Sequence, residues 1–279
     1  MILDKNNYFN KKLGWDKNYK IKVVKTQNEV DEMLSYFMDF NDSKSKNKYV
    51  GLDFEFNSSP EGKKIALFQI NLEQDNSDGF IYLFYPPDLK EEKEMKILIN
   101  LLTNPSIKKI LHGAESLDIP YLFKNIFTDN NLREEFCKNL YDTRYLCEYY
   151  HLENKIEGKC KIYSLLYEMN VIDDNILDML AENEEKMGPI YLVDIDVRNL
   201  NESTMLYSAF DVLYLPALLN QFPDKYEYIK LIPEITCFNY KDRYDNFFTK
   251  PFSELVNKYN NYFIEFDETK IKLIDIYLL

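Results

Sequence analysis

Apolar residues recur along this chain in two rhythms, and their order predicts the elements. Residues 1–18 show neither rhythm: they are polar, irregular and rich in Asn and Lys, as expected of an arm that packs against something else or stays mobile. From Tyr19 the pattern sharpens. Ile21, Val23 and Val24 predict a short strand, and Thr26 is placed to cap a helix whose Val30, Met33, Leu34, Phe37 and Met38 fall three and four apart. After a polar loop over 42–47, Tyr49, Val50, Leu52, Phe54 and Phe56 predict a strand. A turn over 57–62 leads to a second strand over 65–72, and 80–84 predicts a third. Such short connections imply antiparallel neighbours.

The second half alternates helix and strand. An amphipathic helix is predicted over 90–103 with Met95, Leu98, Ile99 and Leu102 on one side, then a short buried strand over 108–112 ending at Gly113. Helices follow from about Ser116 through Phe123, from Asp142, over 163–169 and over 176–184, and a long final helix capped by Ser203 and Thr204 runs through Leu219. The fold class is therefore α/β: a mixed sheet, antiparallel in its first strands and parallel later, flanked by helices. Beyond Pro223 the periodicity weakens, with helix-like 252–259 and strand-like 262–266 and 271–276. Three units are expected: an arm over 1–18, a main domain over 19–222, and an extension over 223–279 packed on that domain, since this stretch is too short for a core of its own.

Composition changes the picture in two ways. With 46% hydrophobic residues in 279 the chain can bury a sizeable core, while a net charge of −13 and a pI near 4.8 exclude wide clamping of a duplex through many Lys and Arg contacts to phosphate. A strand end held by bound cations and a few basic side chains remains compatible with an acidic chain. Cys137, Cys147, Cys160 and Cys237 show no CxxC spacing and only His112 and His151 accompany them, so reduced thiols are expected rather than a structural zinc site. Without an apolar leader or a stretch of membrane-spanning length, a soluble intracellular protein with no membrane association is expected.

Candidate chemistry lies in acids that interrupt apolar runs. In Gly51-Leu52-Asp53-Phe54-Glu55-Phe56 the period of a strand aims Asp53 and Glu55 at one face, where two like charges repel unless a cation lies between them. Hard oxygen ligands of this kind suit Mg²⁺ or Mn²⁺. Two further acidic segments are His112-Gly113-Ala114-Glu115-Ser116-Leu117-Asp118 and Tyr207-Ser208-Ala209-Phe210-Asp211. On a helix, Tyr207 and Asp211 project from one face.

Together, the Asp53-x-Glu55 strand, the following strand with Gln69, the His-Gly-Ala segment leading to Asp118, the Asp142-Thr143 helix start and the Tyr207-x-x-x-Asp211 helix resemble the DEDD 3′-5′ exonuclease superfamily, specifically its ribonuclease D-like branch, over roughly residues 19–220. The resemblance implies a ribonuclease H-like fold and four carboxylates, Asp53, Glu55, Asp118 and Asp211, holding two divalent cations, Mg²⁺ or Mn²⁺. Asp53 would bridge both ions, Glu55 and Asp211 would complete one site, and Asp118 would serve the other through water. Asp118 is assigned in preference to Glu115 because Asp118-Ile119-Pro120-Tyr121-Leu122 matches the family's apolar pattern. Tyr207 would orient the attacking water, as in the tyrosine subclass (DEDDy); the other subclass has a histidine where this chain has Leu206.

The resemblance also implies residues near substrate. Phe54 would offer its backbone to the terminal nucleotide, and Phe56 or Phe210 would stack near a base. His112 reads as a strand-end histidine bonding locally beside the substrate; Arg144, where relatives commonly have Gln, is either a group within reach of a phosphate or a solvated helix residue; and Asp142 is a helix cap or a carboxylate that tunes metal affinity. The segment 187–203 lacks the Trp and Arg-Pro-Leu usual in ribonuclease D relatives, the sole Trp being Trp15, and the Lys155–Lys161 loop is the densest local basic cluster. The expected function is hydrolysis of single-stranded nucleic acid, RNA favoured over DNA, from its 3′ end to nucleoside 5′-monophosphates. The alternative is a catalytically silent exonuclease-like scaffold binding RNA or protein, and the acidic surface or C-terminal extension is a candidate docking point for a protein partner.

Overall fold

The computed structural model describes residues 1–114 and 116–222. Its centre is a sheet of seven strands among the described residues: β1 (Ile2–Leu3), β2 (Tyr19–Val23), β3 (Lys48–Ser59), β4 (Gly62–Gln74), β5 (Gly79–Phe84), β6 (Lys108–Leu111) and β7 (Leu140–Asp142). Their spatial order is β1-β2-β5-β4-β3-β6-β7. The β3–β4–β5 meander is antiparallel, β6 and β7 then add in parallel beside β3, and β2 adds in parallel beside β5. This is the mixed sheet expected, with flanking helices.

Ten α-helices accompany the sheet among the described residues: α1 (Lys5–Tyr8), α2 (Gln27–Asp42), α3 (Glu92–Thr103), α4 (Asp118–Asn125), α5 (Asn130–Cys137), α6 (Thr143–Asn154), α7 (Ile162–Glu168), α8 (Asp174–Met187), α9 (Glu202–Leu213) and α10 (Leu215–Gln221). Thr26 caps α2 in a reciprocal box with Glu29, as its spacing predicts. Met38, however, is 46% exposed, and Phe40 completes the buried stripe in its place. The predicted turn over 57–62 is mostly strand: Asn57 pairs with Lys64, Ser58 with Lys63 and Ser59 with Gly62, leaving only Pro60 and Glu61 to reverse the chain. Polar composition there marks a hairpin arm that projects from the core, where alternation has nothing apolar to report. The sequence reading also lacks α5 and β7, the latter being too short to carry a period.

Register separates the two faces of the meander. Leu52 opposes Ile70 and Phe54 opposes Phe68, and this face is apolar; Phe37 of α2 packs edge-on against Tyr82 of β5. Asp53 opposes Gln69, Gly51 opposes Asn71 and Tyr49 opposes Glu73, so the other face carries a polar stripe that is fully buried at Gln69, Asn71 and Glu73. The α9–α10 pair covers it.

That stripe explains a break in the final helix, which the sequence reading treats as continuous. Pro216 lacks the N–H that would bond Val212, and α9 gives way to α10 at Tyr214. Asn71 Nδ2 donates to the carbonyls of Val212 (3.1 Å) and Leu213 (3.3 Å), satisfying groups the break leaves open. Asn201, rather than Ser203 or Thr204, caps the start of α9 by accepting from the Thr204 N–H.

Residues 1–18 carry more order than their polarity suggests. β1 pairs antiparallel with β2, Phe9 is buried and stacks on Tyr19, and Asn10 N–H bonds the Val171 carbonyl. Trp15 Nε1 donates to the Tyr19 hydroxyl (2.8 Å), which donates to Glu73 Oε1 (2.7 Å), and Asn71 donates to the same oxygen (2.9 Å). A polar chain thus runs from the N-terminal segment to the α9–α10 break. The extension over 223–279, including its predicted helix and strands, lies outside the described residues. One expectation is overturned: Cys147 and Cys160 form a disulfide, bringing together positions 13 apart, while Cys137 is buried. Pairing across a loop depends on where α6 ends, which spacing alone does not encode.

Gly51 sets how closely α9 approaches the sheet, because a Cβ there would fall 2.9 Å from the Val212 carbonyl oxygen. Gly51→Ala is expected to cost about 1–3 kcal/mol of stability through forced displacement of packed backbone. Denaturant unfolding would show a lower midpoint with an unchanged slope.

Candidate active site

β3 delivers Asp53 and Glu55 from its middle, just before a register shift at Glu55/Phe56 that bends the hairpin away. α9 delivers Tyr207 and Asp211 across the polar face. One carboxylate oxygen each from Asp53, Glu55 and Asp211 come within 4.8 Å of one another. Asp118 opens α4, its carboxyl close enough to Asp53 and Asp211 to be raised by both. All four predicted acids therefore converge on the middle of β3, three tightly and Asp118 beside them. Glu115 lies outside the described residues.

Electrostatics define the cluster. Burial pushes Asp53 up to about 7. Burial first, then Asp53 and Asp118, hold Glu55 well above the carboxylate range, against a partial offset from Lys63. Burial likewise raises Asp118, reinforced by Asp53, Asp142 and Asp211, and raises Asp211, reinforced by Asp53, Glu55 and Glu184. The Tyr207 hydroxyl bonds the Asp211 carboxylate and lowers it in part; Asp211 in turn, more than burial, pushes the phenol upward. Gln69 Nε2 donates to Asp53 Oδ2 (3.3 Å). Crowded, poorly neutralised oxygen donors of this type fit a divalent cation of the Mg²⁺ or Mn²⁺ class.

The remaining predicted residues divide. His112 Nε2 donates to the Cys160 carbonyl (3.0 Å), and its Nδ1 lies 2.9 Å from the Thr143 hydroxyl, so both ring nitrogens are committed to the fold. Burial lowers its pKa, favouring the neutral ring. Asp142 caps α6 by accepting from Arg144 N–H (2.9 Å) and ties it to the β6 end by accepting from Gly113 N–H (2.8 Å) and Ala114 N–H (3.3 Å). Arg144 Nε bonds Glu148 (3.0 Å) while its Cδ flanks Gly113. Phe56 is half-buried against Tyr121. Phe54 stacks on Phe68 with centroids 4.1 Å apart, leaving its backbone at the site and its ring in the core. Phe210 corrects an expectation: only 2% exposed, it packs between Tyr8 and Tyr214 and presents no face for a base. Its position on α9 points toward the arm, whose packing could not be foreseen from sequence.

Three neighbours escaped the sequence reading. Tyr163 on α7 feels Asp211 and Asp53, Glu184 on α8 raises Asp211, and Lys63 on the hairpin is the cation acting on Glu55. None belongs to a motif; each arrives by tertiary packing. The divergent segment before α9 lines a 470 Å³ cleft with Asn57, Lys64 and Tyr85, and Asn57 anchors it by bonding Asp194 and both backbone groups of Ile195.

Residues 21–227 match the model of the 3′-5′ exonuclease family. The chain belongs to that family. Among solved structures it resembles Trypanosoma brucei RNase D in complex with GMP (TM-score 0.55, 15% identity, covering 80% of this chain and 64% of that one). A second structure of that protein, with RNA U12, gives a TM-score of 0.54 at 15% identity, covering 80% and 70% of the two chains. These likenesses establish the ribonuclease H-like fold. An uncharacterized protein of Acanthamoeba polyphaga mimivirus is 34% identical over 259 residues, covering 84% of this chain and 50% of the relative; the chain thus spans about half the length of that curated relative. Among the described residues no helix is long and apolar enough to cross a membrane.

The raised carboxyls set a pH dependence with a definite sign. Folded protein keeps protons on this cluster where unfolded carboxyls, near 4, have lost them, so stability falls as pH rises from about 4 through 7. Glu73, raised by burial to about 7, adds in the same sense; His112, lowered by burial, opposes it as one group against five below its ordinary value near 6.5, and Lys109, lowered by burial to about 7, opposes it above that pH. Metal-free protein should melt at a higher temperature near pH 5.5 than near pH 7. Asp53→Asn should flatten the profile without abolishing Glu73's share, as differential scanning calorimetry across pH would show.

Proposed function

We propose that this chain is a metal-dependent 3′-5′ exonuclease of the tyrosine (DEDDy) type, acting on the 3′ end of single-stranded nucleic acid, with RNA preferred, and releasing nucleoside 5′-monophosphates. The observation that carries it is the meeting of Asp53, Glu55 and Asp211 within 4.8 Å, with Tyr207 against Asp211, inside a 3′-5′ exonuclease domain. Asp53, Glu55 and Asp211 would hold one divalent cation, and Asp53 with Asp118 a second. When bound, the two cations supply charge neutralisation at the scissile phosphate and acidify the attacking water. The chain's own groups do the rest. Tyr207, its phenol kept protonated by Asp211 and donating to it, accepts a hydrogen bond from the water and so orients it toward phosphorus. The backbone at Phe54, fixed by the ring stacked beneath it, lies where the terminal nucleotide must end. Phe56 offers a half-exposed ring beside it.

RNA is favoured because the branch is dominated by RNA processing and its structural relative is recorded with RNA U12. The net charge of −13 supports end-focused binding over grip along a duplex, since the cations supply the local positive field. The silent scaffold stays second, because the acids and Tyr207 are all present.

Labelled single-stranded RNA and DNA, incubated with the full chain and Mg²⁺ or Mn²⁺, should shorten from the 3′ end and yield 5′-monophosphates. Asp53→Asn and Asp211→Asn should each lower the rate by about 100-fold or more. Tyr207→Phe should lower kcat by on the order of 100-fold with little change in KM. Degradation that survives Asp53→Asn and Asp211→Asn unchanged would assign the activity to a contaminant.

A further inference from the structure

Away from the carboxylate cluster, the junction of α6 and α7 gathers side chains of the kind that bind soft metal ions. Cys147 and His151 lie four residues apart on α6 and so share one helix face. Cys160 reaches them from the segment after α6, and Glu168 from the last turn of α7. His151 Nε2 lies 3.6 Å from Cys147 Sγ and 2.8 Å from Glu168 Oε2, and His151 Nδ1 lies 3.9 Å from Cys160 Sγ. One donor atom from each of Cys147, His151 and Cys160 lies within 4.8 Å of the others. An independent observation points the same way: Glu168 Oε1 is buried with no hydrogen-bond partner. A buried carboxylate oxygen left unbonded, on the carboxylate whose other oxygen meets the His151 ring, is costly unless a cation answers it.

We propose that in the reduced protein Cys147, His151, Cys160 and Glu168 hold one Zn²⁺ in a closed tetrahedral site. Two thiolates, one imidazole and one carboxylate make a complete ligand set, with no place left for a reacting water, so the role is structural. The disulfide and the ion exclude each other. A dithiol reductant opens the bond, giving two electrons and two protons to the Cys147 and Cys160 sulfurs and closing to its own disulfide; Zn²⁺ then displaces the two thiol protons to solvent. With bonds to sulfur of about 2.3 Å, the sulfurs must part to about 3.7 Å, a movement their side-chain torsions can supply.

Either form staples the two ends of the basic Lys155–Lys161 loop. It also fixes Cys160, whose carbonyl receives the His112 bond at the end of β6, and Tyr163 three residues on, which faces Asp211. The ion would therefore hold a wall of the candidate active site without entering it.

The test uses the full chain carrying Asp53→Asn and Asp211→Asn, so that the carboxylate site does not contribute to metal counts. Reduced protein, exposed to Zn²⁺ and dialysed, should retain one zinc per chain by elemental analysis, and Co²⁺ in its place should give intense sulfur-to-cobalt charge-transfer absorption. Both signals should vanish after oxidation to the disulfide and in Cys160→Ser, and zinc affinity should fall about tenfold or more in Glu168→Gln. Circular dichroism verifies that each variant is folded; should Cys160→Ser fail that check, Glu168→Gln, which leaves both sulfurs intact, decides. Folded reduced protein that retains no zinc, cobalt absorption without the sulfur band, or zinc retention indifferent to both variants would overturn the site.

Discussion

The approach of α9 to β3 is the constraint on which the rest depends. Asp53 and Asp211 lie far apart in sequence and meet because the Val212 carbonyl lies against Gly51, where no larger residue leaves room. Close approach exposes a second problem, since the break before Pro216 frees carbonyls in a place without water. Asn71, on the neighbouring strand, answers both Val212 and Leu213 from beneath. Space from glycine and hydrogen bonds from asparagine are thus two halves of one arrangement, and the acid cluster is its result.

The polar stripe Gln69-Asn71-Glu73 would be an anomaly in an ordinary sheet. Here each member has an assignment: Gln69 steadies Asp53, Asn71 holds the helix break, and Glu73 anchors the chain of bonds from Trp15 and Tyr19. The N-terminal segment therefore belongs to the support of the site, and Gly79, where a Cβ would fall 2.4 Å from the Tyr19 ring, gives that tyrosine its place. Each of the three commits one polar atom to this network, while Gln69 Oε1, Asn71 Oδ1 and Glu73 Oε2 stay buried without a hydrogen-bond partner.

Like charges collected in a partly dry pocket are unstable by themselves, and the raised carboxyls record that cost. A divalent cation placed among these oxygens would relieve that repulsion, which suits the pocket to such an ion better than four solvated acids.

Alternation and helical spacing in the sequence determined the meander, the capped α2 and the parallel addition of β6, because burial on one face leaves a periodic trace. The acids of the site were legible for a related reason: Asp53, Glu55 and Asp211 interrupt apolar surroundings, and Tyr207 shares a helix face with Asp211. What the sequence left undetermined lacks a local signature. The ring of Phe210 turns to Tyr8, the arm joins the sheet, Tyr163 and Lys63 reach the acids, and Cys147 finds Cys160. Each is a contact between segments whose separation along the chain carries no period, so only the packed tertiary structure decides it.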